Sequence, residues 1–135
     1  MSSNNTIIIG AGRMGSSVAR ALNNTNNVVV IDKNRYKIER LQDYSGFVEV
    51  GDATDLQLLE KNGIADADTV IAVTDDDNVN IYIGDVCEHI YHVKNIYIKL
   101  RDSRHKNIVD SRIQCMCPFD LSLEYFEKIQ KGEEE

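Results

Sequence analysis

Short apolar runs recur along this chain, each followed by a stretch with helical spacing. The clearest are TIIIG at 6–10, VVVID at 28–32, FVEVGD at 47–52, TVIAVT at 69–74 and IYIKL at 96–100. A weaker run, QCMC at 114–117, precedes the only proline, Pro118. Val- and Ile-rich runs that do not alternate with polar residues suit parallel strands covered on both faces.

The intervening segments read as helices. Met14, Val18 and Leu22 stand at i, i+4 and i+8 and predict a helix over 13–23, with Ala19 and Ala21 as strong helix formers. Asn34 is a fitting N-cap for NRYKIERLQDY, 34–44, where Ile38 and Leu41 are three apart. DLQLLEKNG, 55–63, opens on Asp55 and stops at Gly63, a C-cap residue. Residues 78–92, 104–112 and 121–131 supply three further helices. Strand–helix alternation with right-handed crossovers predicts an α/β fold: a Rossmann-type, doubly wound, six-stranded parallel sheet, in a single domain over 1–135.

The first strand-to-helix junction carries chemistry. Gly10, Gly12 and Gly15 form G-x-G-x-x-G directly after a strand and at the opening of a helix, the context that gives the motif meaning. Gly10 permits the tight turn, Gly12 lets the backbone approach a phosphate, and Gly15 lets the helix pack closely on the strand. The helix N-terminus then offers N–H groups and positive dipole to an anion. Asp32 ends the second run 22 residues beyond Gly10, where a carboxylate accepts hydrogen bonds from a ribose 2′,3′-diol. It would repel a 2′-phosphate, which disfavours NADP despite Lys33 and Arg35 beside it. An aspartate at a strand end can also cap the next helix. Arg13, between the glycines, can fork onto a pyrophosphate or terminal phosphate, or simply be a solvated first-turn arginine.

Composition adds limits. The net charge of −7 gives nothing to neutralise a run of phosphates, so no nucleic-acid partner is expected. Four of the acidic residues fall in EKIQKGEEE at the end of the chain, which reads as a solvated terminus. No stretch approaches the roughly 18 uninterrupted apolar residues of a membrane span, so direct membrane insertion is not expected. MSSNN is unlike a signal or transit peptide, and the odd set Cys87, Cys115 and Cys117 is unlike a disulfide framework. A cytoplasmic protein is expected.

Taken in order, several motifs make the chain resemble the RCK N-terminal domain family, also called KTN or TrkA-N. They are GAGRMG at 10–15, Asp32, GDATD at 51–55, DAD at 66–68, TDDDNVN at 74–80, and Arg101 after the fifth run. That family is the cytosolic regulatory module of potassium channels and Trk/Ktr-type transporters. The resemblance implies that Arg13 contacts ligand phosphates and Asp32 the ribose, that Asp52 and Ala53 frame an adenine, and that Thr74 and Asp75 edge the cleft. Arg101 is a phosphate or inter-subunit candidate. Met14 within the glycine motif and Lys33 beside Asp32 complete the cofactor-binding set. Members bind NAD(H), ATP, ADP or AMP as effectors and are not enzymes. They form homo-oligomers, dimers building into an octameric ring, docked on an integral-membrane potassium transporter or channel subunit. Many carry a second C-terminal lobe, so a minimal single-domain subunit and a piece of a longer protein both fit this chain.

Other constellations have plainer readings. Asp75, Asp76 and Asp77 can cap a helix or ligate a hard cation, though consecutive carboxylates cannot all face one ion. Cys87, His89 and His92 do not converge on one helix face, which favours a core cysteine and surface histidines over zinc. Cys115 and Cys117 are expected on one strand face as small apolar residues. The last helix, with Leu121, Leu123, Tyr125, Phe126 and Ile129, offers more apolar surface than one sheet edge easily covers. The resemblance, in which the helix after the sixth strand crosses to a neighbouring subunit, implies burial by a partner; the alternative is docking on its own domain. The alternatives to a regulator are a small NAD-dependent oxidoreductase, with His105 the nearest catalytic candidate, and a free-standing redox or energy sensor.

Overall fold

A computed structural model describes residues 4–132. The apolar runs become β1 (Asn4–Ile9), β2 (Asn26–Asp32), β3 (Phe47–Val50), β4 (Thr69–Ala72), β5 (Asn95–Lys99) and β6 (Gln114–Met116). They form one six-stranded sheet in the order β3-β2-β1-β4-β5-β6, with every pairing parallel. The helices are α1 (Arg13–Leu22), α2 (Arg35–Glu39), α3 (Leu56–Lys61), α4 (Asp77–His89) and α5 (Pro118–Lys131). The chain winds outward from β1 to β3, then returns to the other side of β1 to lay down β4. The strand order therefore reverses between β1 and β4.

Successive strand side chains point to opposite faces, and the apolar runs feed two cores. Ile7, Ile9, Ile31, Val70, Ala72, Ile96 and Ile98 pack on one face with Leu59 of α3 and Ile83 and Val86 of α4. Ile8, Val28, Val30, Ile71 and Val73 pack on the other with Ala19, Val18 and Leu22 of α1 and Ile38 of α2. Continuous rather than alternating hydrophobicity is what a strand buried on both faces requires. Cys115 and Cys117 join the first core and Met116 the second, so both thiols do share a face, although Cys117 already caps α5. Cys87 is fully buried, and burial pushes its thiol up to about 12. His89 and His92 are exposed.

Three expected helices differ. The segment 34–44 yields only the five residues of α2, capped by Asn34 as expected. Beyond it Leu41 and Tyr44 turn back onto the α1 core, and the Tyr44 hydroxyl donates to the carbonyls of Val28 and Phe47 (2.8 and 2.7 Å). Expected helix 104–112 is a 3-10 stretch, Ser103–Ile108, started by Asp102 accepting from the Arg104 N–H at 3.0 Å. The final helix begins at Pro118 rather than 121, because proline at a first helical position needs no N–H partner and presets φ.

The second face is covered unevenly. Of its partly buried members, Tyr97 of β5 and Met116 of β6 lie on the half away from α1 and α2. The last helix does not fold over them. Every residue from Leu121 to Lys131 is exposed, with Leu121, Tyr125 and Phe126 at 58–59%.

Candidate nucleotide site

The strand ends on both sides of the reversal open into a cleft of ≈ 750 Å³, within the size range of small-molecule and cofactor sites. The glycine turn builds its floor. Gly10 has φ +109°, and a Cβ there would meet the Val73 carbonyl at 2.9 Å. A Cβ on Gly15 would sit 1.8 Å from the Gly10 carbonyl oxygen, so only glycine lets α1 pack this closely on β1. Around Gly12 nothing lies within 4 Å of an added Cβ, which leaves backbone facing open cleft.

The helix that follows is unlike its neighbours. Helices α2, α3 and α4 each start on a side-chain cap, from Asn34, Asp55 and Asp76. α1 starts on Gly12 with no side-chain cap and no acidic residue in its first turn. Its first N–H groups and the positive end of its dipole are left for an anion in the cleft.

Asp32 lies across this turn. Its Oδ2 accepts from the Ala11 N–H and its Oδ1 from the Asn34 N–H, both at 2.8 Å. Asn34 caps α2 itself, so the capping alternative for Asp32 does not hold. A carboxylate has about four acceptor sites, so the two contacts fix Asp32 and leave acceptor capacity for a ligand diol. Asp52 is fixed likewise, its Oδ1 accepting from the Thr54 N–H at 2.9 Å and hydroxyl at 2.7 Å. Those two donors, backbone first, hold its carboxyl below the usual value.

The three aspartates of TDDDNVN take three different partners rather than converging. Asp75 faces Lys37 at 3.6 Å and Lys99 at 3.5 Å. Asp76 caps α4. Asp77 is drawn under the β5 loop, where it accepts from the N–H groups of Arg101 (2.8 Å) and Asp102 (3.1 Å) and contacts His105 Nδ1 at 3.0 Å. Burial works to raise the Asp77 pKa, but the two N–H donors and His105 outweigh it and leave the carboxyl below its ordinary value.

Behind these residues Asn80 is fully buried and fully bonded. Its Oδ1 accepts from the Thr74 N–H (3.0 Å) and hydroxyl (2.7 Å), and its Nδ2 donates to the carbonyls of Thr74 (3.1 Å) and Lys99 (2.9 Å). One amide thus joins the ends of β4 and β5.

Of the sequence-derived set, Gly10, Gly12, Arg13, Met14, Asp32, Lys33, Asp52, Ala53, Thr74 and Asp75 are brought together on the cleft wall. Gly15 lies beneath the wall, and its part is to seat α1. Arg101 is exposed off the wall, its Nη1 3.4 Å from the Asp75 carbonyl oxygen. Sequence reasoning missed Lys37, Lys99, Ser17 and Pro118 on the wall and Asn80 behind it. Asn80 stood in a quoted motif, as an amide in the first turns of the helix after β4. Among the described residues, no histidine, tyrosine or cysteine lines the cleft.

A reversed strand order beside an uncapped glycine-rich helix start, with an acidic residue ending the second strand, defines a Rossmann-type nucleotide-binding fold. The family model of the TrkA-N domain matches residues 6–114. The chain belongs to the TrkA-N family. A Trk system potassium uptake protein TrkA homolog of Pyrococcus abyssi is 34% identical over 117 residues, 85% of this chain and 52% of that protein. The chain therefore spans about half the length of that relative. Among solved structures, the GsuK RCK domain gives a TM-score of 0.80 at 22% identity, over 96% of this chain and 28% of that one. The GsuK channel bound to NAD gives 0.70 at 20%, over 85% and 21%. The Shewanella denitrificans Kef CTD in AMP bound form gives 0.74 at 23%, over 98% and 84%. At these identities the likeness concerns the fold. No helix among the described residues is long and apolar enough to cross a membrane.

Proposed function

We propose that this chain is a nucleotide-sensing regulatory domain of a potassium transporter or channel, acting from the cytoplasmic side of an integral-membrane partner. Its effector is NAD(H) or an adenine nucleotide. The reading is carried by one observation: in a TrkA-N chain, the uncapped start of α1 and the half-satisfied carboxylate of Asp32 face one cleft. The N–H groups of α1 take the phosphates, with Arg13 beside them, and Asp32 takes the ribose diol. Asp52 and Ala53 lie on the β3 side, where the adenine extends. The NAD-bound GsuK channel and the AMP-bound Kef domain support this ligand class. The Asp32 carboxylate disfavours NADP. Membership of the TrkA-N family and the likeness to potassium uptake proteins support binding without turnover.

The effector works by differential affinity. A nucleotide that fits one inter-subunit geometry better shifts the oligomer toward it, by no more than that difference in free energy. The oligomer is a homo-oligomer, a dimer building into an octameric ring through α5. Titration calorimetry with NAD⁺, NADH, ATP, ADP and AMP tests the binding site. We expect at least one to bind, and Asp32→Ala to weaken it about tenfold or more, the equivalent of one charge-assisted hydrogen bond. Equal affinity in the variant would remove Asp32 from the site. Steady NADH consumption with a carbonyl substrate would instead make the chain an oxidoreductase.

A further inference from the structure

Asp75 stands between two lysines that reach the cleft from elements on opposite sides of β1. Lys37 comes from α2, after β2, and Lys99 ends β5. Their ammonium groups lie 3.6 and 3.5 Å from the two Asp75 oxygens. The two lysine side chains are mostly covered, with exposures of 30% for Lys37 and 15% for Lys99, whereas the Asp75 side chain between them is 77% exposed. Covered stems hold the two ammonium groups at the cleft, where each needs a counter-charge. Asp75 supplies one, at distances longer than the roughly 2.7–2.9 Å of a well-formed charge-assisted hydrogen bond. Lys37 first, then Lys99, holds the Asp75 carboxyl below its ordinary value, so it is ionised at neutral pH. One carboxylate against two ammonium ions leaves the trio a net charge of +1 and hydrogen-bonding capacity on both lysines, in a cleft that all three residues line.

The sheet order says what reaches them. At the C-terminal ends of β2, β1, β4 and β5, neighbouring strands about 4.8 Å apart, stand Asp32, the glycine turn, Asp75 in the loop after β4, and Lys99. A nucleotide with its ribose on Asp32 and its first two phosphates at α1 brings its next group to Asp75 and Lys99. In a nicotinamide dinucleotide that group is a riboside with no negative charge. In a nucleoside triphosphate it is a terminal phosphate with two ionisable oxygens, matched in number to two ammonium ions.

Resting on the nucleotide-binding reading above, we propose that Lys37 and Lys99 form a terminal-phosphate subsite in which Asp75 is a built-in competitor, expelled when a nucleoside triphosphate binds. The protein therefore discriminates a triphosphate from a dinucleotide through an exchange of counter-ions. The exposed carboxylate of Asp75 thus lowers triphosphate affinity rather than raising it.

Calorimetric titration of ATP and NAD⁺ at fixed ionic strength tests this with Asp75→Asn and Lys99→Gln. Asp75→Asn is expected to tighten ATP about threefold or more while moving NAD⁺ less than about twofold, because only the terminal phosphate competes with the carboxylate. Lys99→Gln is expected to weaken ATP about tenfold and NAD⁺ far less. The proposal is overturned if Asp75→Asn leaves ATP affinity unchanged or lowers it, or if Lys99→Gln weakens both ligands equally. Asp75 is exposed, so its variant folds and decides the matter even if Lys99→Gln does not. If wild-type protein gives no heat with any adenine nucleotide, the nucleotide reading itself fails. If nucleotides bind and Asp75→Asn is neutral, only the subsite fails.

Discussion

Asn80 shows how much one buried side chain can hold. Its four hydrogen bonds satisfy the Thr74 N–H, hydroxyl and carbonyl and the Lys99 carbonyl, so the ends of β4 and β5 are set at the cleft by a single amide. Asn80→Ala leaves buried main-chain groups without partners, at about 1–3 kcal/mol each. The expected loss is about 2–4 kcal/mol of unfolding free energy, measured by urea denaturation. A loss under about 1 kcal/mol would mean that water replaces the amide. Residues whose positions are set by their immediate neighbours were legible from sequence. Gly10, Gly12 and Asp32 are fixed by a turn and a strand end, and Asp52 by its own downstream Thr54. Lys37 and Lys99 were not legible, because they meet only through Asp75, and nothing local to either predicts the encounter. Arg101 came from the family resemblance, as a phosphate or inter-subunit candidate; its backbone is held by Asp77 and its side chain lies off the cleft wall.

Elements were legible where apolar spacing and burial agreed. β1, β2 and β4 are continuous apolar runs at the sheet centre, and α1 and α4 carry long apolar faces. The failures are segments whose tertiary contacts override helical spacing. Tyr44 finds better partners at Val28 and Phe47 than a longer α2 would offer. The 3-10 stretch Ser103–Ile108 follows from Asp77, which captures the N–H groups of Arg101 and Asp102 and ties this segment to α4. That tie predicts a pH dependence. Asp77 has a folded pKa below its ordinary value of 3.8, so its contribution is fully present above that pH and fades as the pH falls through the folded pKa. Asp77→Asn should lower the melting temperature at pH 7, and the gap to wild type should narrow toward pH 3. A gap that stays constant across that range would show that the charge on Asp77 does not hold the loop.

At the scale of the molecule, the α/β class, the parallel sheet and the position of the cleft followed from motif order and periodicity. The direction of α5 did not, because apolar spacing marks a face without saying what covers it. With Phe126 and Tyr125 exposed and the Tyr97–Met116 half of one sheet face thinly covered, we expect a second copy to complete the surface. Phe126→Asp should reduce the mass seen by light scattering. An unchanged mass would mean that α5 has no part in assembly.

Pro118 is both the first residue of α5 and part of the cleft wall. Any rotation of the helix about Pro118 would therefore pivot at the cleft wall. Its 14 residues give an arm about 21 Å long, so a swing of about 10° at Pro118 carries the far end through roughly 4 Å. A rotation too small to disturb the sheet would become, at Lys131, a displacement of atomic size or more.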